Sequence, residues 1–294
     1  MADYKNITIF STFLSLWIAV FFNYDIENFL AYVLILSFGV LHGANDLKLI
    51  EKKHVDFNRK LFLKVLFTYL LIILGITSIF FFFPLFALSL FILLSSYHFG
   101  EEHLSSKLKK SSVLTTISYT IHGLLVFSIL FFSNSQSTSV IINDITGFYP
   151  NEEIFKYALY TLLILMSITF IICSKIKLIK IIDIVEECFY LLILYVIFKT
   201  ASLLWSFAIY FVFWHSIPSL VRQVRYLYGN NKRASFKAYL KSSFIYWILS
   251  LIGLGILYLI FSENETVFTP ILFIMLATIT FPHVWIISRL DKDY

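Results

Sequence analysis

Residues 61–84 read LFLKVLFTYLLIILGITSIFFFFP. The 22 residues from Leu61 to Phe82 carry one charge, Lys64. As a helix rising about 1.5 Å per residue they reach about 33 Å, enough to cross a hydrocarbon core about 30 Å thick. Pro84 is a residue well tolerated in the first turn of a helix. A second apolar run, 84–103, therefore follows as the return arm of a tight helical hairpin.

Outward from this hairpin the same pattern repeats. Ten spans are predicted, at about 7–23, 29–47, 61–82, 84–103, 112–132, 153–173, 181–198, 201–221, 239–261 and 268–288. The 294 residues are 59% hydrophobic and 14% charged, with 33 Phe and 18 Tyr, and the mean hydropathy is +0.84. Soluble domains hold fewer apolar residues, in interrupted runs. A barrel would show short alternating strands instead. The expected fold is all-α: a polytopic integral membrane helical bundle, residues 1–294 forming a single transmembrane domain. The stretch 7–22 ends without a small-residue cleavage site and reads as a span, not a signal peptide. Cys173 and Cys188 form no CxxC pair and no disulfide framework.

Charge distribution sets the expected orientation. With ten spans, one side holds both termini and carries 21 of the 23 Lys and Arg. Among them are Lys5, Lys48, Lys107, Lys110, Arg222, Arg289 and Lys292. The other side has Lys156 and Lys199, with acids at Asp25, Glu27, Asp144, Glu152, Glu153, Glu263 and Glu265. The positive-inside rule makes the first side, and so both termini, cytoplasmic. The basic surface then needs no nucleic acid to explain it.

Four histidines interrupt the apolar runs, in Leu41-His42-Gly43-Ala44-Asn45-Asp46, His98-Phe99-Gly100-Glu101-Glu102, Trp214-His215-Ser216 and Pro282-His283. An ionisable side chain inside a span is costly and marks a functional site by default. All four spans run outward to inward. Each histidine precedes the first basic flank residue (Lys48, Lys107, Arg222, Arg289) by six to nine positions, about 9–14 Å. Four imidazoles at one depth suit a metal, because a neutral imidazole ligates iron, zinc, copper or nickel without adding charge. One intramembrane histidine alone is as often a polar tie between helices. His54 and His103 read as solvated, and His122 as a packing hydrogen bond.

Asp46, four residues after His42, and Glu101, three after His98, would share a helical face with those histidines. Each is placed to accept the second imidazole N–H and so orient a metal-bound ring. Glu102 reads as facing water. Gly43 and Gly100 admit close approach of a backbone or ligand. The aromatic content serves either an interfacial belt or the lining of a tunnel for a long apolar molecule.

The runs Leu-His-Gly-Ala-Asn-Asp at 41–46 and His-Phe-Gly-Glu-Glu at 98–102, with the tryptophan-preceded His-Ser-x-Pro at 215–218, resemble the signature segments of the Brp/Blh family. These are the bacteriorhodopsin-related-protein-like β-carotene 15,15′-dioxygenases. The resemblance covers length, span count and motif order. It implies a membrane enzyme that splits β-carotene at its central double bond with O2, giving two molecules of all-trans-retinal. It further implies Fe(2+) held by His42, His98 and His215. By family analogy a rhodopsin would receive the retinal. The family commonly has another histidine four residues after the one matching His215, where this chain has Ser219. Either His283, chosen by its depth, is the fourth ligand, or a position stays open, or activity is altered.

Competing readings remain at this level. No HxxxH or HxxHH cluster of a membrane desaturase is present. A non-catalytic carotenoid- or retinal-binding protein and a histidine-ligated haem or metal protein both fit the same spans. Transport would favour Gly/Pro-broken spans at midplane, of which there is little sign at the four histidines.

Overall fold

In an apolar surrounding a backbone satisfies its own hydrogen bonds only as a helix or a closed barrel. The computed structural model is helical, with no strand among the described residues, which are 2–54, 56, 58–109, 112–261, 265–288 and 290. Lys110, Glu263, Arg289 and Lys292, used above to mark flanks, lie outside them, as do the side chains of Lys5 and Glu265. The helices are α1 (Ala2–Phe21), α2 (Tyr24–Leu34), α3 (Asp46–Lys53), α4 (Arg59–Phe82), α5 (Pro84–Leu104), α6 (Val113–Ser133), α7 (Ser135–Thr146), α8 (Glu152–Lys175), α9 (Ile181–Thr200), α10 (Leu203–Ile209), α11 (Ile217–Tyr228), α12 (Arg233–Phe261) and α13 (Glu265–Ile287). Two π-helical stretches, Ile35–Gly39 and Tyr210–Ser216, interrupt the α-helical run.

Local chemistry sets the ends. Asn58 accepts from the Leu61 amide to start α4, and Ser112 with Thr115 forms a capping box at α6. Gly147 and Gly229 end α7 and α11 at φ 72° and 76°, a region that favours glycine.

Among the described residues, six helical stretches are long and apolar enough to cross a membrane: Arg59–Phe82, Val113–Ser133, Glu152–Lys175, Leu203–Tyr228, Arg233–Ile256 and Phe268–Ile287. They fit a membrane protein. The other expected spans fall on α1, α2, α5 and α9, which are shorter or more polar. Little of α4 is fully buried, whereas Leu203–Tyr228 is largely buried.

The chain falls into two compact units. The first comprises Met1–Val33, Ile92–Asn143 and Gly147–His215; the second comprises Leu34–Phe91, Asp144–Thr146 and Ser216–Tyr294. In the first unit α6 packs against α8 and α9, burying Leu125, Val126, Ile129 and Leu130. α5 and α6 touch through backbone: a Cβ at Gly100 would collide with the Tyr119 backbone, and one at Gly123 with that of Ser96. Ser96 and Gly100, four apart on α5, face Gly123 and the Tyr119 backbone on α6, so the small residues Ser96, Gly100 and Gly123 permit the close crossing. Glu27, expected among the outer acids, is 2% exposed. Its carboxylate accepts from the Ser202 amide at 2.6 Å, at the N-terminus of α10.

In the second unit α13 packs against α3, α4 and α12, and α11 against α3 and α12. Leu41, Leu49, Leu220, Val224, Tyr239 and Ile286 form its buried core. Tyr239 carries the polar load there. Its hydroxyl donates to Gln223 Oε1 at 2.7 Å, and its carbonyl accepts from Asn45 Nδ2 at 3.2 Å.

Gly123→Ala should force α5 and α6 apart and lower stability by about 1–3 kcal/mol. A thermal melt of the protein in nanodiscs measures this, with exposed Gly75→Ala, which meets no atom within 4 Å, as the control.

Candidate functional site

The four histidines are deeply buried: His42 is 6% exposed, His98 2%, His215 1% and His283 3%. Each unit brings two of them together. In the second unit the rings of His42 and His283 meet edge to face with centroids 4.8 Å apart. In the first, His98 and His215 do the same at 4.8 Å. Phe99 packs 4.5 Å from His215, and Phe211 stacks on it at 5.9 Å.

The stretch 41–46 departs from its expected form. His42–Asn45 is a turn between the π-helical stretch and α3, not part of a continuous span. The Ala44 amide bonds the Leu41 carbonyl and the Asp46 amide bonds the Gly43 carbonyl, three residues back in each case. Asn45, fully buried, braces the turn through Tyr239 and Ser242. Asp46 therefore does not share a helical face with His42. One carboxylate oxygen instead accepts from His283 Nδ1 at 2.8 Å and the other from the Tyr69 hydroxyl at 3.0 Å. The Nδ1 of His42 engages the Gly39 carbonyl, exposed by the π-helical stretch. With Nδ1 bonded in both rings, the proton sits on Nδ1 and the lone pair on Nε2. Two adjacent imidazoles so prepared are a donor pair for a metal.

Glu101, expected to orient His98, accepts from Tyr97 at 2.9 Å. Ser219 is buried and accepts from Gln223 Nε2 at 3.3 Å. A hydroxyl tied this way braces α11 by bonding one turn along it.

The first unit also holds a polar cluster that the sequence reading passed over. Glu187 Oε2 lies 2.9 Å from His122 Nε2 and 3.6 Å from His103 Nδ1. Lys107 Nζ pairs with Glu187 Oε1 at 2.6 Å and with Glu186 at 3.1 Å. Burial by itself would lower the Lys107 pKa, but Glu187 and Glu186 overcome it and hold the ammonium above its ordinary value. Lys107, taken above as a membrane-flank marker, is thus a buried ion-pair partner, its side chain 7% exposed. His103, expected in water, is equally enclosed. The available signal was the pair Glu186-Glu187 inside an apolar run, costly unless partnered.

An apolar groove of about 1000 Å³ lies in the second unit, lined by Leu70, Phe80, Leu254, Ile271, Met275 and Ile279 among others. Its hydroxyls are turned inward: Thr77, Ser250 and Thr278 each bond a carbonyl of their own helix. Ile279 precedes His283 by one helical turn on α13.

The family model described as beta-carotene 15,15'-dioxygenase matches residues 33–291, and the chain belongs to that family. No curated protein matches the chain. No solved structure matches it either.

Lys107→Met would leave Glu187 buried without its ammonium and should destabilise the protein by about 3–5 kcal/mol. Chemical denaturation in detergent measures this, and the Lys107→Met/Glu187→Gln double variant should recover part of the loss.

Proposed function

Proceeding from this family membership, we propose that the chain is a membrane-embedded non-haem iron dioxygenase. It cleaves the 15,15′ double bond of β-carotene with O2, giving two molecules of all-trans-retinal. It works as a single ten-span domain of the bacterial plasma membrane, with both termini cytoplasmic. The proposed Fe(2+) ligands are His42, His98 and His215, on the family motifs and their matched depth in the sequence, with His283 as the fourth. The observation that carries the reading is the preparation of His42 and His283: buried rings whose Nδ1 positions are held by the Gly39 carbonyl and by Asp46.

The donor set suits a ferrous ion, since neutral imidazoles add no charge to an apolar interior. Iron, when bound, supplies the coordination positions at which O2 is activated beside the polyene. The rest falls to the chain. Asp46 keeps His283 in one tautomer and one orientation, and Tyr69 in turn anchors Asp46. The apolar groove, leading along α13 to within a turn of His283, receives a substrate with no polar atom and keeps water away. A rhodopsin-type acceptor of the retinal follows by family analogy.

A second reading, a carotenoid-binding protein without catalysis, is favoured by Ser219 standing buried and bonded to Gln223 where the family commonly has histidine.

In β-carotene-accumulating cells, expression should bleach the orange colour and yield retinal by chromatography. Unchanged carotenoid beside folded, iron-loaded protein would favour the binding reading. His42→Ala, His98→Ala and His215→Ala should each abolish iron retention by elemental analysis, and full iron in any one removes that residue from the ligand set. Asp46→Ala, which spares the ligands, should weaken iron affinity about 10–100-fold.

A further inference from the structure

Away from the four histidines, three helices of the first unit bring nitrogen and oxygen donors to one buried point. His103 ends α5, His122 lies in mid-α6, and Glu187 lies in the first half of α9. Their donor atoms all fall within 4.8 Å of one another, and no other such group is found among the described residues. Donors about 2.1 Å from a common tetrahedral metal stand roughly 3–4 Å apart. The separations from Glu187 Oε2, 2.9 Å to His122 and 3.6 Å to His103, fall close to that range.

We propose that His103, His122 and Glu187 form a second metal site, for a divalent first-row transition ion, separate from the iron centre. Two neutral imidazoles and one carboxylate are a donor set shared by zinc and ferrous ions. Charge supports a cation here. Glu186, Glu187 and Lys107 sum to a formal charge of −1, and Lys107 occupies Glu187 Oε1 while Oε2 faces the histidines. Lys107 thus holds the carboxylate in place without taking the ligating oxygen.

A second observation points the same way. The hydroxyl of Tyr210, a residue 2% exposed, has no hydrogen-bond partner among the described residues. Its ring stacks on His103 at 6.0 Å. A buried polar group without a partner is rare in a protein interior, and this one stands beside the cluster as the mark of a site that takes a polar guest.

The site would cross-link α5, α6 and α9. It would also fix the His103 ring, which lies flat against Trp214 at 5.7 Å, next to His215 in the chain.

Cobalt(II) titration of the full chain in nanodiscs tests this, followed by visible d–d absorption and by metal analysis after desalting. The His42→Ala/His283→Ala variant, stripped of two proposed iron ligands, should still take up cobalt. Adding Glu187→Gln or His103→Gln to it should weaken that uptake at least ten-fold. His103→Gln keeps the test open if Glu187→Gln does not fold, with near-ultraviolet circular dichroism as the folding control. Uptake unchanged by His103→Gln and by folded Glu187→Gln overturns the proposal, as does the absence of uptake in folded His42→Ala/His283→Ala. Iron lost in Glu187→Gln but kept in His42→Ala would sink the four-histidine assignment while leaving this site standing.

Discussion

A carboxylate drawn into an apolar helical bundle must be partnered, because leaving it bare costs more than almost any packing gain returns. Each unit of this protein is arranged around one such group. In the second unit Asp46, 2% exposed, is met by His283 and Tyr69. In the first, Glu187, 1% exposed, is met by His122, His103 and Lys107. Partners come from different helices, so each carboxylate dictates which helices lie together and at what rotation. Asp46 joins α3, α4 and α13. Glu187 joins α5, α6 and α9, along with the loop that carries Lys107.

Irregular backbone does comparable work. The π-helical stretches abut or contain histidines of the candidate site: Ile35–Gly39 ends three residues before His42, and Tyr210–Ser216 contains His215. Widened turns release carbonyls that must find new donors. At the first stretch the Leu36 carbonyl takes the Trp247 indole N–H at 2.8 Å, and the Gly39 carbonyl takes His42. The irregularity thereby creates the bond that sets the His42 ring. At the second, Pro218 just downstream has no N–H to give, which eases the departure from regular α-helix.

Ser219 shows how a departure from the family pattern is absorbed. Its hydroxyl, Gln223 and Tyr239 form a chain of hydrogen bonds ending 3.3 Å from the His42 carbonyl. The position that commonly carries a histidine has become part of the scaffold under the 41–46 turn, while His283 is anchored by Asp46.

Hydropathy and run length sufficed for the all-helical fold and its apolar surface, since a bilayer-length run has few other ways to satisfy its backbone. The motifs at 41–46, 98–102 and 215–218 sufficed for the family. Histidine type and position singled out the buried rings, because an imidazole amid Leu and Phe stands out without any geometry. Partner choice was not legible. Asp46 was expected to serve His42 on one helical face; the turn at Gly43 and Asn45 breaks that face and sends it to His283, 237 residues away. Lys107 and His103 read as water-facing because charge at a span's end usually is, and only the approach of α9 with Glu187 buries them. Sequence alone thus singled out the four histidines and Asp46 as polar groups to be accounted for inside the bundle, and passed over Glu27, His103, Lys107 and Glu187. The tertiary structure decided which of them answer one another, because hydrogen bonds between helices depend on rotation and depth that no single helix encodes.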